Sequence, residues 1–250
     1  MTASASIPSP DSLTTPGLAV VIGAGGGLGA AMLAQLEREQ QHGAYAQVLG
    51  LGRHTEIGIN FLDEASIASA AQYVASICST SKLELRLLVV ATGFLHGQQG
   101  QPDRSFAHLD ANYLTHVFAI NTLGPALVMK HFFPLLPKRG RCVAGFLSAR
   151  VGSISDNALG GWYGYRSAKA ALNQLVKTAS IELMRWNSSS ICVALHPGTV
   201  DTKLSQPFAK TGLKVRPAEE AVSNLLDVLK DLVPADTGAL VDFQGKKIPY

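Results

Sequence analysis

Residues 20–29, VVIGAGGGLG, impose the strongest constraint on what this chain can become. Residues 18–22 are a short apolar, β-branched run without alternation, as a central parallel strand covered on both faces requires. Gly23, Gly27 and Gly29 follow as G-x-x-x-G-x-G, and Ala30, Ala31, Met32, Leu33, Leu36 and Glu37 continue as a helix. A glycine accepts the positive φ of a tight turn, and a missing Cβ lets an anion approach the backbone amides. A helix starting there aims unpaired N–H groups, among them those around Gly26, Gly27 and Leu28, at the same place. Strand, turn and helix together outline a phosphate-binding device. The glycines alone would equally suit a flexible loop, and the flanking strand and helix are what argue for the device.

Strand and helix signals alternate along the rest of the chain. Residues 46–52, 57–61, 85–91, 141–148, 191–195 and 239–243 read as further strands. Helices are expected at 64–78, at 109–136 with a break or bend around Gly124-Pro125, at 162–186 and at 217–232. Alternation of this kind implies right-handed crossovers and an α/β fold: one Rossmann-type, doubly wound parallel sheet with helices on both faces. With 250 residues, 47% of them hydrophobic and 16% charged, one large core over 18–250 suffices. Residues 1–17, rich in Ser, Thr and Pro, read as a flexible tail.

Several partner classes find no support. A net charge of +3 with no long Lys/Arg run offers no footprint for nucleic acid or an anionic membrane. Cys78, Cys142 and Cys192 are odd in number and far apart, so neither a disulfide framework nor a metal site is indicated, and they read as core residues. No apolar run is long enough to span a bilayer and no leader pattern opens the chain, which predicts a soluble, cytoplasmic protein.

The candidate site residues lie where strands end. Arg53 follows the second strand, where a dinucleotide fold meets the adenosine ribose; an acid there would accept from a 2′-hydroxyl, whereas an arginine suits a 2′-phosphate. Arg53 therefore tilts the cofactor toward NADP without excluding NAD, although a solvated arginine closing a strand is the plainer alternative. Asn60 and Phe61 stand where an adenine ring could lie, and Thr92-Gly93 follow the strand at 85–91, as backbone close to a ligand or as a simple turn. Asn121 is a polar residue among apolar neighbours and needs a partner, be it local backbone or a site. Tyr165 and Lys169, four apart on one helix, project from the same face, and an ammonium there would favour the phenolate and lower a phenol pKa that is ordinarily near ~10. Tyr163 has Ser167 at the same spacing, so only Tyr165 has a cation in reach.

The glycine loop, Asn121, Ser148, the Tyr165/Lys169 pair and the Pro197-Gly198 turn resemble, in order and spacing, the short-chain dehydrogenase/reductase family. Residues 148–154, the Gly160-Gly161-Trp162-Tyr163 approach and the ending at 242–249 look most like its C-factor and Sniffer-like carbonyl reductase branch. The resemblance implies an NAD(P)-dependent oxidoreductase acting on a small-molecule carbonyl or alcohol. Tyr165 would be the general acid/base, Lys169 would tune it and hold the nicotinamide ribose, and Asn121 would anchor a water. Ala91, Thr92 and Gly93 would offer backbone contacts, and Pro197, Gly198, Val200 and Thr202 would position the nicotinamide. The family's substrate-binding serine aligns with Ala149, so Ser148 could serve only if the strand end is twisted or bulged. The family's Asn after the fourth strand is missing, and its adenine-facing Asp is Asn60. A homodimer or homotetramer is implied as well. Trp162, Phe94, Leu95, His96 and residues 204–213 are candidates to line the pocket, which would suit a partly apolar substrate. A cofactor-binding regulatory protein of the same fold with little turnover is the competing reading.

Overall fold

The computed structural model describes residues 17–208 and 215–250. The expected tail, except Gly17, and the part of the pocket segment from 209 to 213 lie outside them.

Seven strands form one sheet in the order β2-β1-β3-β4-β5-β6-β7. They are β1 (Leu18–Ile22), β2 (Gln47–Leu51), β3 (Leu85–Val90), β4 (Cys142–Leu147), β5 (Ser190–His196), β6 (Leu240–Asp242) and β7 (Lys247–Ile248). All neighbours pair in parallel except β6 and β7. The chain winds from β1 outward to β2, then returns to β3 on the other side of β1. The order of winding thus reverses between β1 and β3, and ligands of doubly wound folds bind outside the carboxyl ends at such a point.

The helices are α1 (Gly27–Gln41), α2 (Glu64–Ser81), α3 (Ala111–Phe118), α4 (Gly124–Phe132), α5 (Tyr163–Trp186) and α6 (Ala218–Asp231). Because side chains alternate along a strand, β1 feeds two cores. Val20 and Ile22 pack with Ile67, Val74, Val128, Phe132, Leu172 and Val176 of α2, α4 and α5. Ala19 and Val21 pack with Met32, Leu36, Leu225 and Leu229 of α1 and α6. Cys142 and Cys192 are buried and Cys78 is half-buried; all three are free thiols.

Two local expectations are corrected. Residues 57–61 are not a strand: a single bridge joins Gly58 to Gly52. Thr55 Oγ1 instead bonds the Gly52 amide and the carbonyls of Gly52 and Ile57, curling the chain into a turn. Distance along the chain explains this, since a parallel neighbour needs a crossover of roughly a dozen residues or more. The second correction concerns the break at Gly124-Pro125. The helix runs on through it, and the α register changes one turn earlier, in a π-helical segment at Ala119–Leu123. Pro125 has no N–H for the preceding turn, and the Gly124 amide reaches back to the Ala119 carbonyl.

Candidate active site

The glycine turn sits at the carboxyl end of β1. Gly23 has φ +93°, and a Cβ at Gly29 would lie 2.1 Å from the Gly23 carbonyl oxygen, so a side chain at either position would break the turn. Gly26 caps α1 without a side-chain bond, and the helix has no acidic residue in its first turn. A Cβ at Gly25 would meet nothing within 4 Å, so the loop just before the helix start is open, and the first amides of α1 have no partner within the helix. An uncapped, positive helix end beside an open glycine backbone is the donor set a pyrophosphate needs. Thr202 leans over this end, its Cγ2 2.9 Å from where a Cβ of Gly27 would be.

Around the turn, the Ala91 amide donates to Ile22 O at 2.7 Å. Thr92 touches Gly23, and its buried Oγ1 has no hydrogen-bond partner among the described residues. Gly52, preceding the exposed Arg53, lies against the glycine loop, since its Cβ would come 3.3 Å from the Gly25 amide. Asn60 is exposed, and its Oδ1 accepts from the Leu62 amide at 3.1 Å. Phe61 turns its ring into the core against Gly124. Pro197 and Gly198 turn the chain out of β5, with φ +77° at Gly198, and Val200 is buried where it bridges to Arg216.

On the other side of the crevice, three buried polar groups converge. Asn121 lies in the π segment and is fully buried; its Oδ1 accepts from the Phe94 amide at 3.1 Å, and its Nδ2 donates to Phe94 O at 2.7 Å and Val117 O at 2.9 Å. Lys169, 2% exposed, donates from Nζ to Leu147 O at 2.8 Å. The Nζ lies 5.7 Å from the ring centroid of Tyr165, in the range of a cation–π contact. A Cβ at Gly93 would be 3.5 Å from Asn121 Oδ1 and 3.9 Å from Lys169 Nζ, so both head groups face the same backbone after β3.

Burial governs the protonation of the pair. It pushes the Lys169 ammonium down to about 7 and the Tyr165 phenol well above its ordinary range. The expected lowering of the Tyr165 pKa is therefore not what the protein alone displays. Desolvation penalises the phenolate, and the same desolvation weakens the cation that would stabilise it. Near neutral pH the phenol carries its proton.

Ser148 continues the β4 line, its amide donating to Leu195 O at 2.8 Å, and its hydroxyl is buried and donates to Asn173 Oδ1 at 2.7 Å. Asn173 also donates to Gly152 O at 3.2 Å. Asn173, one turn beyond Lys169 on α5, had no sequence signal of its own beyond continuing that spacing. His196, Arg216 and Asp103 were also missed. The His196 Nδ1 is buried without a partner among the described residues, and Arg216 lays its guanidinium 3.9 Å above the Phe243 ring, beside Gly198. These residues belong to loops and strand ends that only the fold brings together.

The aromatic candidates form a chain. Trp162 meets Tyr165 at 6.2 Å and Phe208 at 5.1 Å between centroids, both edge-on, and Phe208 meets His96 at 5.3 Å. His96 Nε2 lies 3.2 and 3.1 Å from the carbonyls of Lys203 and Leu204. Leu95 is buried in the core, and Phe94 packs against Tyr113 and His116.

The family model for short chain dehydrogenases matches residues 17–212. The chain belongs to the short chain dehydrogenase family. Among curated relatives of this short chain dehydrogenase, the C-signal protein of Myxococcus xanthus is 34% identical over 143 residues, 56% of this chain and 82% of that protein. Among solved structures, the carbonyl reductase Sniffer of D. melanogaster superposes with TM-score 0.78 at 19% identity, covering 94% of this chain and 99% of that one. The NADPH-bound carbonyl reductase from chicken fatty liver gives TM-score 0.76 at 24% identity, covering 94% and 98%. No helix among the described residues is long and apolar enough to cross a membrane.

Proposed function

We propose that the protein is an NADPH-preferring oxidoreductase that interconverts a small-molecule carbonyl and the corresponding secondary alcohol. The observation that carries this reading is the convergence of Lys169 and Asn121 on the Gly93 backbone, with the Tyr165 ring beside the Lys169 ammonium, near a glycine turn whose helix no side chain caps. The glycine loop from Gly23 to Gly29 would hold the pyrophosphate, Arg53 the 2′-phosphate, and Asn60 with the backbone at Phe61 the adenine. Ala91, Thr92 and Gly93 would flank the ribose, with Lys169 on its hydroxyls, and Pro197, Gly198, Val200 and Thr202 would fix the nicotinamide. A bound nicotinamide supplies the hydride.

The chain's own part is proton supply and geometry. Tyr165, kept protonated by burial, gives its phenol proton to the carbonyl oxygen during reduction and recovers it from the alcohol in the reverse direction. Lys169 stabilises the phenolate so formed, and Asn121 orders the path by which the proton is replaced. Ser148 joins this set only by exchanging Asn173 for the substrate oxygen. That engagement supports the second reading, a cofactor-bound regulatory protein with little turnover. The family's assembly through its helices makes a homo-oligomer part of the proposal, and a cytoplasmic location is proposed with it.

The test is a fluorescence titration with NADPH and NADH, followed by NADPH oxidation with a panel of aldehydes and ketones. Tighter binding of NADPH that Arg53→Ala removes is expected, with turnover that Tyr165→Phe abolishes. Equal affinity for the two cofactors would overturn the Arg53 assignment. Binding without turnover of any carbonyl would favour the regulatory reading.

A further inference from the structure

The helix that carries Tyr165 begins in an unusual way. Gly160, Gly161 and Trp162 have φ of +64°, +66° and +53°, three left-handed residues in succession leading into right-handed α5. Only glycine enters that region freely, and Trp162 is one of two described non-glycine residues there. Its side chain makes no cap to the helix. Strain of this kind persists only where surrounding contacts over-determine it, and it gathers at sites that need pre-organisation.

The contacts that hold it come from a remote loop. Asp103 is 2% exposed; its carbonyl accepts from the Trp162 amide at 2.5 Å, and its carboxylate Oδ2 accepts from the Gly164 amide at 3.1 Å. The space is closed around it, since a Cβ at Gly164 would meet Leu114 at 2.8 Å, Asp103 Oδ2 at 3.2 Å and Tyr113 at 3.3 Å. From the helix side, Arg166 donates to Gly161 O at 2.9 Å and Gly160 O at 3.1 Å. The backbone on either side of Trp162 is thereby pinned, and the ring is delivered edge-on to both Tyr165 and Phe208.

We propose that Asp103 is a positioning residue for Tyr165: it caps α5 from outside the helix and holds Trp162 left-handed, so that the indole fixes the phenol against the crevice. The inference rests on the reading of Tyr165 as general acid. Asp103 touches no reacting atom, and its effect passes through the backbone of residues 162–164. Such a residue governs the rate of the chemical step more than the affinity for cofactor.

Two readouts test it in a Trp186→Phe background, where Trp162 is the remaining tryptophan of the two in the chain. Asp103→Ala should red-shift Trp162 emission and raise its acrylamide quenching about twofold. With NADPH and 4-nitrobenzaldehyde, kcat should fall about tenfold or more while the dissociation constant for NADPH stays within about twofold. Asp103→Asn keeps an oxygen for the Gly164 amide and should restore emission and most of kcat. If Asp103→Ala does not fold, Trp162→Gly takes its place: it keeps the left-handed backbone, removes the ring, and should show the same loss of kcat at unchanged NADPH affinity. Unchanged emission in Asp103→Ala, or undiminished kcat in either variant, overturns the proposal. Absence of turnover in the wild type counts against the general-acid reading alone, because Trp162 emission still reports whether Asp103 holds the turn.

Discussion

Burial moves Tyr165 and Lys169 in opposite directions, each toward its neutral form, and this sets what single substitutions should do. Tyr165→Phe removes the phenol proton assigned to the carbonyl oxygen and leaves the ring, so kcat should fall by at least about a hundredfold, with NADPH affinity retained; comparable turnover in the variant would sink the general-acid assignment. His196 gives a prediction of a different kind. Burial first, and the cations of Arg150 and Arg216 next, hold its imidazole down to about 4. The unfolded imidazole takes its proton near pH ~6.5, so between that value and about 4 the unfolded state binds more protons and stability falls as pH falls. Wild type should lose on the order of 3 kcal/mol across this window, and His196→Asn should lose much less, as read from denaturant midpoints at pH 7 and pH 4. Equal losses would show that the imidazole is not held neutral. The Tyr165/Lys169 pair was legible because both members lie on one helix, where spacing fixes the face. His196 and Asp103 were not, because a lone polar residue in a strand or loop carries no signal until the fold supplies its neighbours.

Among the elements, the strands that face both cores declared themselves by apolar runs, and β1, β3 and β4 stand within one residue of the sequence expectation at either end. Residues 57–61 show where that signal misleads. Ile59 and Phe61 are apolar because they plug the core beside α2, not because they pair with a neighbour. The π segment escaped for a related reason: local pattern marked Pro125 as the trouble, while the register change fell where Asn121 takes the Val117 carbonyl with its own side chain. Phe61 and Gly124 make this testable. A Cβ at Gly124 would lie 2.0 Å from Phe61 Cδ2 and 2.7 Å from its Cβ, too near the base of the ring for a simple rotation to relieve. Gly124→Ala should therefore destabilise by about 1–3 kcal/mol despite the better helix propensity of alanine. Paired with Phe61→Leu it should cost less than the two changes summed, as a double-mutant cycle of thermal unfolding would register. Strict additivity would mean that the two residues do not share the space.

At the scale of the whole molecule, the long helix α5 divides its labour. Tyr165, Ala168, Lys169, Leu172, Asn173 and Val176 face inward, and Ile181 and Met184, three apart near its far end, remain 48% and 39% exposed. Trp186, just beyond, is 43% exposed with Lys138 over its ring at 4.6 Å. Residues three apart share a helix face, so the apolar pair forms a stripe that the described residues leave uncovered, remote in sequence from the Tyr165 turn. A second copy of the chain meeting it across a two-fold axis would bury the same stripe from both sides, as an isologous contact requires. The protein should then run in sedimentation at twice or four times its 26.4 kDa chain mass, and Ile181→Asp should lower that mass while NADPH binding persists, since none of the residues proposed to hold the cofactor belongs to this stripe. A wild-type monomer at micromolar concentration would rule the contact out. Loss of NADPH binding together with the partner would mean instead that the crevice depends on a neighbour, through α5 and the turn that Asp103 holds at its start.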